Sequence, residues 1–442
     1  MTAVAESHLL LADYEAFDAA LEQPAEVAAL RRRGRERFEE VGFPTNRDEE
    51  WRFTNVSPVS RLEARRAGGE RHGLDASKLE PFLVEETQDL VFVNGRFDAE
   101  LSETGELPDG VFAGSLARAL REMPDTVIAH LGQHARLDDN PFVALNTAHI
   151  EDGAFIYVPR GVRVEKPLHL LFVGTAGDEP TVSYPRNLIV VEQSAELTVL
   201  ESYAGFSGDR YFTCPVTEIV GGDNSVIDHY RLGEESVDAY HLATLEIALG
   251  RDANHFTHSV NWGGAIVRND IRAYLGGEGI HCTLNGLYLG KDKQLVDHHM
   301  WVDHAMPHCH SYELFKGVLE DSSKAVFNGR IKVHEDAQKT DAKQSSQHLL
   351  LSKSAIAQSN PQLEIFADDV RCTHGSTTGH LDDEAVFYLR SRGIGEDAAR
   401  SLLTYAFAAE VLEEFRLETV RKDLEEYLFT RLPKGDVVRQ AV

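Results

Sequence analysis

The sequence has four cysteines, Cys214, Cys282, Cys309 and Cys372, and no two of them stand in a C-x-x-C pair. That spacing builds neither a disulfide framework nor a zinc ribbon. No stretch approaches the roughly 18 consecutive apolar residues that a membrane-spanning helix requires. The opening run MTAVAESHLLLADYEAFDAA lacks a basic n-region and meets acids early, so no targeting segment is read there and the cytoplasm is the expected location. Positive charge is scarce: 44 Lys and Arg against 72 Asp and Glu leave a net charge of −28. Such an excess repels phosphate backbones and anionic lipid, so neither nucleic acid nor membrane is an expected partner. No G-x-x-x-x-G-K-[ST] loop occurs, and ATP chemistry would have to come from another chain. GIGEDA (Gly393 to Ala398) fits G-x-G-x-x-A, but only 44 residues follow it. A dinucleotide fold needs about 30 residues per βαβ unit and several units, so these glycines read as a break between helices.

What is present falls into three textures. Residues 1–150 read as a mostly helical domain with a small β portion. EVAALRRRGRERFEEVGF carries apolar residues at helical spacing, and Pro44 stops it. NRDEEWRF follows, LVFVNGRF reads as a hairpin turning at Asn94–Gly95, and SLARALREM reads as a helix. Over 151–378, short β-rich runs recur, among them FIYVP, LHLLFVG, ELTVLESY, LATLEIAL, SYELFKGVL and AVFNGRIKV. Turn pairs at 194, 223 and 252 place them 29 residues apart (223 − 194 and 252 − 223), and no helical pattern intervenes. That texture speaks against a βαβ architecture; the pattern points to a β-solenoid and leaves a β-sandwich as the alternative. Residues 379–442 turn helical again. Within them Ala399, Leu402, Leu403, Ala406 and Phe407 form an apolar stripe that must pack on the body or on a partner.

Two segments carry candidate chemistry. VDHHMWVDHAMPHCHS is the densest donor cluster, with Asp297, His298, His299, Asp303, His304, His308, Cys309 and His310. Alternate strand residues share a face, so His308 and His310 would chelate together, an imidazole pair suited to zinc or iron. Histidines filling polar turns are the alternative, since no H-E-x-x-H or other closed ligand set accompanies them. The second segment, DVRCTHGSTTGHLDDEAVFYLRSRGI, sets Cys372 and His374 at i and i+2, facing one way from a final strand beside a helix. Thiolate and imidazole suit iron, zinc or an iron–sulfur cluster. A cysteine–histidine nucleophile pair is the catalytic alternative. A cluster takes about four ligands, so the remainder would come from elsewhere or from another chain.

The block from FNGRIKVHEDAQKTDAKQSSQHLLLSKSAIAQSNPQLEIF through DVRCTHGSTTGHLDDEAVFYLRSRGIGEDAARSLLTYAFAAEV resembles the SufB/SufD family of iron–sulfur cluster assembly proteins. EEWRFTNV and DNPFVALNTAHIEDGAFIYVPRGVRVEKPLHL resemble its earlier parts. Within the family the chain is more similar to SufD, because Leu389 stands where the SufB phrase FYCxxRG has cysteine and CTHGST stands where SufB tends to read EHEAT. The resemblance implies a right-handed parallel β-helix core (151–378) flanked by helical N-terminal (1–150) and C-terminal (379–442) domains. It implies a non-enzymatic cytoplasmic scaffold that pairs with a SufB-like paralogue and a SufC-like ABC ATPase. His374 then matches a histidine at the paralogue interface, and Cys372 the cysteine of the same phrase, as part of an inter-subunit iron or cluster site. A transient cluster or iron is implied there, with none held tightly by the isolated chain. Phe387, Tyr388, Arg390, Arg392, Leu402, Leu403 and Phe407 are the expected ATPase-docking residues. When alone, the chain is expected to pair with a second copy. Two other readings are a SufB-like scaffold that holds the cluster itself and a β-helix enzyme acting on polysaccharide; the missing leader and the terminal helices oppose the latter.

Overall fold

The computed structural model describes residues 8–138 and 140–441. The chain is mainly β and forms a parallel β-helix of about 8 turns with helices at both ends of the sequence. Each complete turn contributes one strand to each of two sheets. Val226, Asn254, His281, His310, Asp341 and Arg371 fall in one row across successive rungs of one sheet. Turn residues hold the period: Ser194, Asn224, Asp252 and Asp321 adopt φ between 52° and 57°. Short polar side chains tolerate this left-handed conformation because they hydrogen-bond locally.

The sheets begin within the N-terminal part of the chain. Gln88–Val93 pairs in parallel with Leu168–Gly174, and Phe112–Ser115 pairs antiparallel with Ala154–Val158. The hairpin at Asn94–Gly95 is present, with both residues at positive φ. Both faces of the solenoid wall are buried over much of its length. Inward residues such as Ile189, Ile247, Ala273, Val302 and Ile331 fill the lumen. The outer face of one sheet is covered by the N-terminal elements, where Trp51, Phe142, Phe212, Leu242 and Ile266 meet. Helix α1 (Ala25–Val41) packs there against α2 (Pro141–Ala148), and Gly34 permits the approach, since a Cβ would lie 2.7 Å from the Ala148 nitrogen.

The C-terminal helices α3 (Asp383–Ser391), α4 (Glu396–Leu412) and α5 (Glu418–Arg431) are separated at Gly393 and Leu417. They cover the outer face of the other sheet through Tyr230, Leu232, Val260, Leu287, Leu314 and Val318. The buried stripe of α4 is Ala398, Ser401, Tyr405, Ala408 and Leu412, with Ala399, Thr404 and Val411 beside it. This differs from the expected stripe, because the helix turns smaller residues toward the sheet and leaves Ala406 exposed. Among the described residues no helix is long and apolar enough to cross a membrane.

Candidate functional site

The last rung of the β-helix is built from Ile356–Ile365 in one sheet and Arg371–Gly379 in the other, and each is the final strand of its sheet. Interior positions of one row are Thr257, Leu284, Glu313, Gln344 and His374; in the next they are Cys282, Ser311, Ala342 and Cys372. Both predicted ligands therefore face the lumen side. With no further rung above them, His374 is exposed, whereas Cys372 is half-buried against the core. Burial raises the Cys372 thiol above its ordinary value, with Asp341 adding to the effect and the Ala342 backbone hydrogen bond opposing it. At neutral pH it is a thiol that must release its proton on binding metal. Beneath His374, Gln344 donates through Nε2 to Glu313 Oε2 at 2.6 Å. Burial pushes the Glu313 carboxyl up to about 8. This buried amide–carboxyl pair carried no signal in the sequence, because it depends on which strands become rung neighbours.

The two final strands leave a long open edge. Ile356, Ile365 and Phe366 on it are exposed. Immediately after it, Asp382 caps α3 by accepting from the Glu384 backbone N–H, and Val386 is the buried residue of that helix. Phe387 and Tyr388 are left 71% and 55% exposed. The Arg392 guanidinium lies over the Tyr388 ring at 4.5 Å, and Arg390 pairs with Glu396 at 3.3 Å. The other expected docking residues are placed differently. Leu402 and Phe407 pack partly into the chain's own core, and Lys316 lies over the Phe407 ring at 4.5 Å. Leu403 is half-buried.

The histidine-rich segment is dispersed by the fold. His308 adopts φ 61° in the turn before the strand His310–Leu319, so it shares no strand face with His310, and the expected chelating pair does not form. His298 and His304 point into the lumen, where burial pushes both down to about 3. Asp297 and His299 point outward and latch the N-terminal segment EEWRFTNV. Thr54 donates to Asp297, and His299 contacts Asp297 at 3.1 Å and Glu50 at 3.2 Å. Arg268 donates to Asp270 and Asp297 and to the Glu50 carbonyl, and it stacks on Trp51 at 3.6 Å. A cleft of about 300 Å³ adjoins this latch. Its Arg268, His299 and Arg330 already face carboxylates, which makes it a structural joint. Among the described residues no group of three or more His, Cys, Asp or Glu side chains is placed to hold a metal ion.

Residues 172–407 match the family described as SUF system FeS cluster assembly, SufBD core domain, and residues 8–170 match the SufBD protein N-terminal region. An iron–sulfur cluster assembly SufBD family protein of Synechocystis sp. is 34% identical over 400 residues, covering 88% of this chain and 87% of that protein. The iron–sulfur cluster assembly protein SufD of Escherichia coli is 33% identical over 397 residues, covering 89% and 90%. The protein of that name in Bacillus subtilis is 29% identical over 428 residues, covering 93% and 95%. With the N-terminal and core parts of the family matched in order along the chain, this chain belongs to the SufBD family of the SUF iron–sulfur cluster assembly system.

Proposed function

We infer that this chain is a SufD-like scaffold subunit, without catalysis of its own, that supplies half of an iron or nascent-cluster site to a SufB-like paralogue. The observation that carries this reading is the uncovered final rung, where Cys372 and His374 face the lumen beside the open end of the solenoid and His374 is exposed. The iron or cluster is cargo. A neutral imidazole and a thiol that ionises on binding are competent iron ligands, and two such donors leave coordination positions for a second subunit to fill. The open edge of Ile356–Ile365 and Arg371–Gly379 is the surface that a second β-helix would meet, because unpaired strand edges need covering. In the paralogue's absence a second copy of this chain occupies it. ATP hydrolysis comes from a SufC-like ABC ATPase in the cytoplasm, docked at Phe387 and Tyr388, whose exposure suits an interface anchor.

The test is anaerobic reconstitution of the chain with its SufB-like and SufC-like partners, iron and sulfide. Cluster absorbance should fall at least tenfold for His374→Ala and less for Cys372→Ala, with complex formation unchanged by size exclusion. Wild-type cluster yield from His374→Ala would refute the half-site. Strong cluster absorbance from this chain alone would favour a scaffold that holds the cluster by itself.

A further inference from the structure

His310 is left without a role by the end-rung site, yet it has a close neighbour of its own kind. In the outward row of the sheet, Asn254, His281, His310 and Asp341 occupy successive rungs. The imidazoles of His281 and His310 are stacked, ring centroids 4.6 Å apart and planes 7° from parallel, and both are exposed. We propose that His281 and His310 form a two-histidine surface binding site for a borderline divalent cation such as Zn²⁺, with water completing its coordination.

Geometry carries this inference. Parallel strands hold rung neighbours at about 4.8 Å, and two nitrogens on one zinc ion lie about 3–4 Å apart given Zn–N bonds of about 2 Å. A tilt of the two rings about their Cβ–Cγ bonds closes that gap, and both side chains are free at the surface to make it. The backbone that sets the spacing is fixed by parallel pairing on both sides, so little ordering is needed beyond the rings themselves. Imidazole suits zinc, copper, nickel and ferrous iron, and the neutral form is the ligand. The surrounding charge favours a cation: Asp341 lies in the same row, and the chain as a whole carries −28. Arg371 stands one rung beyond Asp341 and marks the end of the row toward the open edge.

This site is independent of the half-site reading, because it lies on the outer face whereas Cys372 and His374 face the lumen. The experiment is therefore done on the full chain carrying Cys372→Ser and His374→Ala, titrated with ZnCl₂ by calorimetry at pH 7.5. His281→Ala and His310→Ala are each expected to weaken Zn²⁺ binding at least tenfold. His308→Ala, in the neighbouring turn, is expected to leave it unchanged, and Asp341→Asn to weaken it two- to fivefold. Lowering the pH to 5.5 should abolish binding, since protons then compete for the imidazoles. The positions are exposed, and an unchanged circular dichroism spectrum confirms the fold of each variant. Absence of Zn²⁺ binding to the parent chain, or wild-type affinity in either His281→Ala or His310→Ala, overturns the site and leaves the pair a stacked ladder.

Discussion

Raising the pH should release the N-terminal segment from the β-helix by deprotonating His299. Burial opposes the charge on this imidazole, but Asp297 outweighs burial and Glu50 adds to it, so its pKa rises to about 9. The unfolded chain keeps the ordinary value near 6.5. A folded value above the unfolded one means that the folded state holds the proton more tightly. The contribution to stability is therefore whole below about pH 6.5, falls by about 1.4 kcal/mol per pH unit above it, and is gone above about pH 9. A gap of roughly 2.5 units corresponds to about 3 kcal/mol. Against its own burial cost, Asp297 is held down near 2 by His299 and Arg268. That depression describes the same contact from the other partner, so the two effects are not added.

A chain of 442 residues need not unfold in one step, and the latch is best read locally. The assay is hydrogen exchange by mass spectrometry on peptides spanning 49–62, expressed as protection factors so that intrinsic pH dependence cancels. Protection is expected to fall by roughly 300-fold, the equivalent of about 3 kcal/mol, between pH 6.5 and 9.5. In His299→Gln the amide can still donate to Asp297 but does not titrate, so the profile should be flat and lower at pH 6.5. Parallel pH profiles for the two proteins would refute the assignment of the effect to His299.

Other outcomes follow from the same structure. Replacing Phe387 and Tyr388 together by serine should abolish co-purification with the SufC-like ATPase while leaving the melting temperature within about 1–2 °C, since neither side chain is buried. Deleting 383–442 should instead yield aggregated protein on size exclusion, because the helices cover Tyr230, Val260, Leu287 and Leu314. On the proposed pairing of two copies through the open edge, Phe366→Asp should lower the dimer fraction of the isolated chain in sedimentation, and an unchanged dimer fraction would move that contact elsewhere. Glu218→Gln should cost about 3–5 kcal/mol in urea unfolding, because the buried carboxylate pairs with Arg186 and accepts from the backbone of Gly132, His134 and Ala135. Gly317→Ala should cost about 1–3 kcal/mol by overpacking, since its Cβ would meet the Tyr288 ring at 2.2 Å.

The contrast between what was legible in the sequence and what was not has a physical origin. Turns were legible because left-handed backbone selects Ser, Asn, Asp and Gly; Ser194, Asn224 and Asp252 stand close to the 29-residue spacing read as a solenoid. The hairpin at Asn94–Gly95 and the helix capped by Ser115 follow from equally local chemistry. Faces were less legible. A strand such as Leu168–Gly174 is buried on both sides, by the lumen and by covering elements, so its hydropathy does not alternate. The histidine segment shows the consequence. Neighbouring donors at 297–299 serve the latch, the lumen and the latch again, and His310 finds its partner in His281 on the preceding rung rather than in His308 nearby in sequence. The stripe on α4 was misplaced for a related reason: small residues such as Ala398, Ser401 and Ala408 let a helix approach a sheet closely, while Leu403 stays half-exposed. Cys372 and His374 were legible as a pair because one strand fixes both. Their exposure was not, since it depends on the solenoid ending at that rung. A rung above them would convert the same two residues into lumen packing, so the position of the last turn, more than the identity of either residue, leaves this pair at an open end of the β-helix.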